Sequence, residues 1–131
     1  MSCAIRYCSR SGNTKLVADA IALGAGVHPV STDKANAGLK QKVDVLFLGG
    51  ALYAYGIDDS LKKFIQDLDA KMVGRAVLFS TSWVSKHALD VMKKELTKKG
   101  IAVENETFYA RGKAGEAKLA EATAFGKKFA K

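Results

Sequence analysis

Apolar residues fall along the chain in two rhythms. Short, nearly continuous runs occur at 3–7, at 43–48 (VDVLFL) and at 76–80 (AVLFS), as expected of strands covered on both faces. Between them, apolar positions recur at helical spacing. Leu16, Val17, Ala20 and Ile21 form one stripe, and Leu61, Phe64, Ile65 and Leu68 form the best-defined one. Leu89, Met92 and Leu96 make a third, and Leu119, Ala122, Gly126 and Phe129 a fourth. The pattern predicts strands over 3–8, 43–48 and 76–80 and helices over 13–23, 58–68, 86–99 and 116–130. Gly24 and Gly26 act as stops for the first helix, Gly49-Gly50 ends the 43–48 strand, and Asp58, Asp59 and Ser60 supply helix-start chemistry. Residues 27–30 contain Pro29 and suit an edge strand. Residues 33–41, interrupted by Asn36 and Gly38, support a weak helix at most, and 101–110 alternate as a strand near an edge does.

Strands alternating with helices make an α/β fold, a parallel sheet joined by right-handed crossovers and covered on both sides. At 131 residues and 48% hydrophobic content, one domain over 1–131 is expected. In such sheets ligands bind outside the carboxyl ends of the strands. The segments there are 9–14, 51–57, 81–85 and 110–113.

Arg6 interrupts what should be a strand buried on both faces, where a charge needs a partner or an escape to the sheet end. The two cysteines, Cys3 and Cys8, are five apart on that strand and so point to opposite faces. A mutual disulfide is not expected, and two cysteines are too few for a closed zinc site.

The charge balance is 21 basic against 13 acidic residues, a net +8, which favours acidic partners. The lysines are spread over the helices as solvated faces do, with no basic motif interleaved with aromatics, so nucleic-acid binding is not expected. No apolar run reaches the roughly 18 residues of a membrane span, and no secretory signal is visible. A cytoplasmic monomer is the expectation.

The first carboxyl-end loop carries the chemistry. Cys8-Ser9-Arg10-Ser11-Gly12-Asn13-Thr14 lies between a strand and a helix start. Unpaired helix N–H groups, three side-chain hydroxyls (Ser9, Ser11, Thr14) and a glycine that permits close approach would suit a phosphate. The loop alone fits a plain helix cap equally well. The aromatic segments at the same sheet edge, with Tyr53, Tyr55 and Trp83, shift the balance toward a nucleotide-like ligand with a flat ring. Other phosphate-binding signatures fail. Cys-x5-Arg is absent, since Ser9 and Thr14 stand six beyond the cysteines. Gly-x4-Gly-Lys-Ser/Thr and an opening Gly-x-Gly-x-x-Gly are absent too, as are the paired acids of a receiver domain at the end of the first strand.

Taken together, these residues resemble a flavodoxin. The family's Ser/Thr-x-Ser/Thr-Gly-x-Thr loop is met by Ser9-Arg10-Ser11-Gly12-Asn13-Thr14, and the resemblance extends over the whole chain. An uninterrupted last strand makes it similar to the short-chain members. The resemblance implies a flavodoxin-like three-layer α-β-α sandwich with five parallel strands ordered 2-1-3-4-5. It also implies non-covalently bound FMN and a role as an electron carrier. The phosphate would be held by Ser9, Arg10, Ser11, Gly12, Asn13 and Thr14. One ring face would be covered by Ala51, Leu52, Tyr53, Ala54, Tyr55 and Gly56, and the other by Thr81, Ser82, Trp83 and Val84. No catalytic or metal-binding residue is implied. An alternative within the flavin class is an FMN-dependent oxidoreductase acting on a quinone or porphyrinogen, though such proteins tend to be longer. Outside that class stands an accessory domain that has lost flavin. Two features depart from the family. Most flavodoxins are strongly acidic, whereas this chain is +8, which implies acidic redox partners. Arg10 and Lys15 also flank the phosphate loop, Lys15 being expected to point into water.

Overall fold

In a computed structural model, residues 2–53, 56–82 and 86–130 are described. The elements in chain order are β1 (Cys3–Tyr7), α1 (Asn13–Ala25), β2 (Pro29–Ser31), β3 (Val43–Gly50), β4 (Leu52–Tyr53), β5 (Gly56–Ile57) and α2 (Asp59–Asp67). After a 3-10 turn at Ala70–Met72 come β6 (Val73–Thr81), α3 (His87–Lys98), β7 (Phe108–Ala110) and α4 (Glu116–Phe129). Five strands pair in parallel in the order β2-β1-β3-β6-β7. Counting main-sheet strands alone, this is the expected order. The numbering differs because β4 and β5 form a separate antiparallel pair within the 51–57 segment.

The period-two alternation of the strands divides the core in two. Ile5, Val45, Phe47, Val77 and Phe79 face α1 and α4, and Ala4, Leu46, Leu48, Ala76 and Leu78 face α2 and α3. Cys8 belongs to the second layer and Cys3 packs on the first, and both are free thiols on opposite faces as expected.

Four expectations are corrected by packing. Gly24 does not stop α1, which runs to Ala25 with Gly26 as its left-handed C-cap. Gly24 is instead a contact with α4: a Cβ there would stand 1.9 Å from the Thr123 carbonyl oxygen, and one on Gly126 would stand 2.3 Å from that of Ile21. Gly49-Gly50 does not end β3, because the Phe79 ring and Leu61 occupy the space their side chains would take.

The strand expected over 101–110 is broken. Val103 bridges Ala76 and Phe108 pairs with Phe79, so five residue steps on the outer strand oppose three on β6. The excess bulges outward, where Glu104 reaches Arg75 at 2.8 Å and Glu106 reaches Lys128 at 2.6 Å. Pairing two carboxylates with cations on the neighbouring elements offsets the ladder bonds lost.

Finally, 33–41 is not a helix but a chain of turns, with Lys34 N–H donating to the Ser31 carbonyl and Ala37 N–H to that of Lys34. It covers the face of β1 that carries Arg6. The Arg6 guanidinium donates through Nε to the Ala37 carbonyl and through Nη1 to the Ile5 carbonyl at 3.0 Å. A charge that a buried strand could not otherwise tolerate thus satisfies one backbone oxygen of its own strand and one of a connector that makes no helix.

The α1–α4 contact yields a prediction. In an open helix Gly126→Ala should stabilise by about 1 kcal/mol through propensity. Here the close approach to Ile21 makes it destabilising by roughly 1–3 kcal/mol, read as a lower urea midpoint at unchanged slope. An unchanged or raised midpoint would show that the helices are free to part.

Candidate functional site

The carboxyl ends of β1, β3 and β6 bring the expected site segments to one edge. Cys8 N–H donates to the Gly49 carbonyl at 3.0 Å and Ser80 Oγ to the Gly50 carbonyl at 2.6 Å, so the three strand ends are tied side by side. From β1 the chain turns through Ser9, Arg10 and Ser11 into α1, which begins at Asn13.

The N-cap of α1 is Gly12, in the left-handed region at φ 92°, and no side chain caps the helix from that position. A plain helix cap would place a Ser or Thr there. Instead the first-turn N–H groups have no i−4 carbonyl and receive no side chain from the cap position, and the space where a Gly12 side chain would project is open. Ser9 Oγ accepts from Gly12 N–H at 3.0 Å and Ser11 Oγ from Asn13 N–H at 3.5 Å. Because both oxygens act as acceptors within the loop, their O–H groups remain available to donate outward. Thr14 is buried, its hydroxyl 2.6 Å from that of Thr81, and either can be the donor. One bond consumes one of two protons, so the pair keeps a further O–H to direct. Helix dipole, backbone N–H groups and hydroxyls together fit a phosphate.

The two cations flanking the loop are both paired. Lys15 reaches Asp19 at 2.9 Å on the exposed surface of α1, in keeping with the expectation that it points into water. Arg10 Nε donates to Asp58 Oδ2 at 2.8 Å. That contact spans from the phosphate loop to the residue after β5, and Asp58 is also the N-cap of α2, accepting from Ser60 N–H at 2.8 Å. Partial burial raises the Asp58 pKa, but bonds from the Ser60 N–H, the Arg10 guanidinium and the Ser60 hydroxyl outweigh it and hold the carboxyl at about 2. Ser60 Oγ is also 2.8 Å from Thr32 Oγ1 and 3.6 Å from the Cys8 sulfur. Burial pushes the Cys8 thiol up, so it packs as an inert group beneath the loop.

In the second segment, Ala51 follows β3, Leu52 and Tyr53 form β4, and Gly56 opens β5 with φ 110°. The backbone pairs Leu52 with Ile57 and Tyr53 with Gly56. Ala54 and Tyr55 lie outside the described residues. In the third segment, Thr81 ends β6 and Ser82 follows it, while Trp83 and Val84 lie outside the described residues. Ser82 is held from below: its N–H donates to the Ala110 carbonyl, and its carbonyl accepts from Gly112 N–H and from the Tyr109 hydroxyl, the last at 2.6 Å.

Sequence reasoning missed Tyr109, Thr32 and the Arg10–Asp58 pair. Asp58 stood out as helix-start chemistry, but the distance in sequence to Arg10 left no local signal. Tyr109 reads locally as an ordinary strand aromatic.

A flavodoxin-domain model matches residues 4–124. The chain belongs to the flavodoxin family. The family reading makes it an FMN-binding electron-transfer protein, with the bound flavin supplying reversible electron uptake. Among solved structures, a flavodoxin from the domain Archaea superposes with a TM-score of 0.85 at 21% identity, covering 99% of this chain and 96% of the other. Flavodoxin 1 from Bacillus cereus gives 0.80 at 22% identity, with 98% and 97% covered. A short-chain flavodoxin associated with a bacterial microcompartment gives 0.75 at 16% identity, with both chains fully covered. A sequence search among curated proteins returns no match. Among the described residues, no helix is long and apolar enough to cross a membrane, and no cluster of side chains suits a metal ion.

The Asp58 carboxyl ionises more readily in the folded protein than at its ordinary value of 3.8. Its stabilising contribution is therefore complete above about pH 4 and is lost as the pH falls toward about 2. Asp58→Ala should lower stability at neutral pH by about 0.5–2 kcal/mol and flatten the acid limb of a stability–pH curve in that window. An acid limb identical to that of the unsubstituted protein would remove Asp58 from this role.

Proposed function

We propose that the chain acts as a one-domain, monomeric FMN carrier of the cytoplasm whose redox partners present acidic surfaces. The single observation that carries the phosphate part is the helix start capped by Gly12 with no side-chain cap hydrogen bond. Backbone N–H groups from Arg10 to Thr14 and the hydroxyls of Ser9, Ser11 and Thr14 hold the FMN phosphate, by hydrogen bonds and helix dipole. Arg10 serves the loop indirectly, through Asp58. The segments Ala51 to Gly56 and Thr81 to Val84 flank the isoalloxazine. Tyr109 acts as a positioning residue for the second of these, by fixing the Ser82 carbonyl one residue before Trp83.

The partner reading is supported by the charges that border the site. Exposed Arg10, Lys86, Arg111 and Lys113 all belong to loops or helix starts at the carboxyl edge. Of the nearby acids, Asp58 and Asp19 are each engaged by a cation, while Asp59 is exposed. A positive rim on a protein of charge +8 draws negatively charged partners and raises their encounter rate at low salt.

Two measurements test the reading. Replacing Ser9 and Ser11 together by Ala should weaken FMN by roughly 1.5–3 kcal/mol per hydroxyl, while riboflavin, which has no phosphate, binds as before. Equal losses for both ligands would place these hydroxyls outside the phosphate site. Electron transfer to an acidic partner should slow steeply as ionic strength rises, whereas a rate indifferent to salt or faster with a basic partner would overturn the charge argument. Stepwise anaerobic reduction passing through a one-electron stage supports the carrier role. Rapid NAD(P)H oxidation without an added reductase supports an oxidoreductase instead.

A further inference from the structure

At the amino-terminal end of the sheet, away from the phosphate loop, the turn-rich connector 32–42 roofs a cavity of about 490 Å³. Its apolar lining comes from Ala4, Val30, Leu39 and Val43. Arg6 rises from β1 into it, and His28, Asn36, Lys40 and Gln41 contribute nitrogen donors from its surround. No Asp or Glu lines it. The cavity therefore combines an apolar surface with a cation fixed within it and further donors, and lacks any opposing negative charge.

The state of the guanidinium gives this arrangement its direction. Nε is bonded to the Ala37 carbonyl and Nη1 to the Ile5 carbonyl. These two bonds lock the plane of the group and use two of its five N–H donors. The others have no acceptor among the described residues. Burial lowers the Arg6 pKa from its ordinary value, and a guanidinium keeps its charge in proteins even when half-buried. A half-buried cation whose only partners are neutral carbonyls gains most from an anion placed against its free edge.

We propose that this cavity is a binding site for a small organic carboxylate. The fixed fork of Arg6 meets the carboxylate oxygens in one plane, as guanidinium does with carboxyl groups. Lys40 adds a second positive charge, and the aliphatic part of the ligand lies on Ala4, Val30 and Leu39. Inorganic phosphate meets the same charge but leaves the apolar wall unused, so it binds more weakly. The ligand also bridges β1 to the connector and thereby orders residues 36–41. This site shares no residue with the flavin site and does not depend on the redox reading of the protein.

The test uses the full chain loaded with FMN, which keeps the phosphate loop filled and out of competition. Butyrate, succinate and inorganic phosphate are titrated in turn at fixed ionic strength, following the methyl resonances of Val30 and Leu39. Both carboxylates should give saturable shifts, and phosphate should bind at least several-fold more weakly. Arg6→Lys, which keeps the charge and removes the planar fork, should weaken the carboxylates by about tenfold. Lys40→Glu, at an exposed position that the core does not need, should weaken them several-fold while leaving FMN affinity and the visible spectrum unchanged. Should Arg6→Lys fail to fold, Lys40→Glu carries the test alone. Absence of saturation into the tens of millimolar overturns the proposal. So does equal binding of phosphate and carboxylates, which would reduce the effect to positive charge alone, or affinity unmoved by Lys40→Glu, which would place the binding away from this cavity.

Discussion

The buried hydroxyl pair Thr14–Thr81 is the interaction on which the carboxyl edge depends. It joins the first turn of α1 to the last residue of β6, the two places from which the phosphate loop and the second ring segment depart. Both residues are almost fully buried, so removing either hydroxyl leaves the other without a partner, at a cost of about 1–3 kcal/mol. Around this pair further polar groups tie the strand ends together. Ser80 reaches Gly50, Cys8 reaches Gly49 through its N–H, and Tyr109 reaches Ser82. These supports come from within the sheet and its edge strand.

Charge is handled by a similar division. The cations beside the phosphate loop are engaged by protein carboxylates, Arg10 by Asp58 and Lys15 by Asp19. The anion-binding capacity proposed for the loop therefore rests on oriented N–H and O–H groups, which would hold a phosphate without cancelling its charge. The Arg10–Asp58 pair also ties the phosphate loop to the start of α2, immediately after the β4–β5 hairpin. The segments proposed to hold the two ends of the flavin are thus linked by one ion pair reinforced by a helix cap. In the proposed role, the positive charge on the rim would act on partners more than on the cofactor.

Away from the site, Arg6 and the connector 32–42 show how a local irregularity is accommodated. A crossover without a helix leaves carbonyls that no ladder satisfies. A guanidinium on the underlying strand supplies a donor to one of them, at Ala37. Each feature would be unfavourable alone, and each meets the need of the other. The outward bulge of 104–107 follows the same logic, with Arg75 and Lys128 accepting the displaced carboxylates.

Periodicity along the chain was enough to determine the α/β class, the parallel sheet, the two-faced core and the position of the hydroxyl loop between β1 and α1. These follow from local spacing, since strand and helix repeats and the run Ser9 to Thr14 are readable within a few residues. The opposite orientation of Cys3 and Cys8 was legible for the same reason. Tertiary structure decided what the glycines do: Gly24 and Gly126 serve helix contact, and Gly49 and Gly50 lie within a strand, because each answers to a side chain or carbonyl far away in sequence. It also decided the pairing of Arg10 with Asp58, of Arg6 with Ala37, and the break in the last strand. A side chain's hydrogen-bond partner is chosen by whichever unsatisfied group the fold brings near, and that proximity has no local signature.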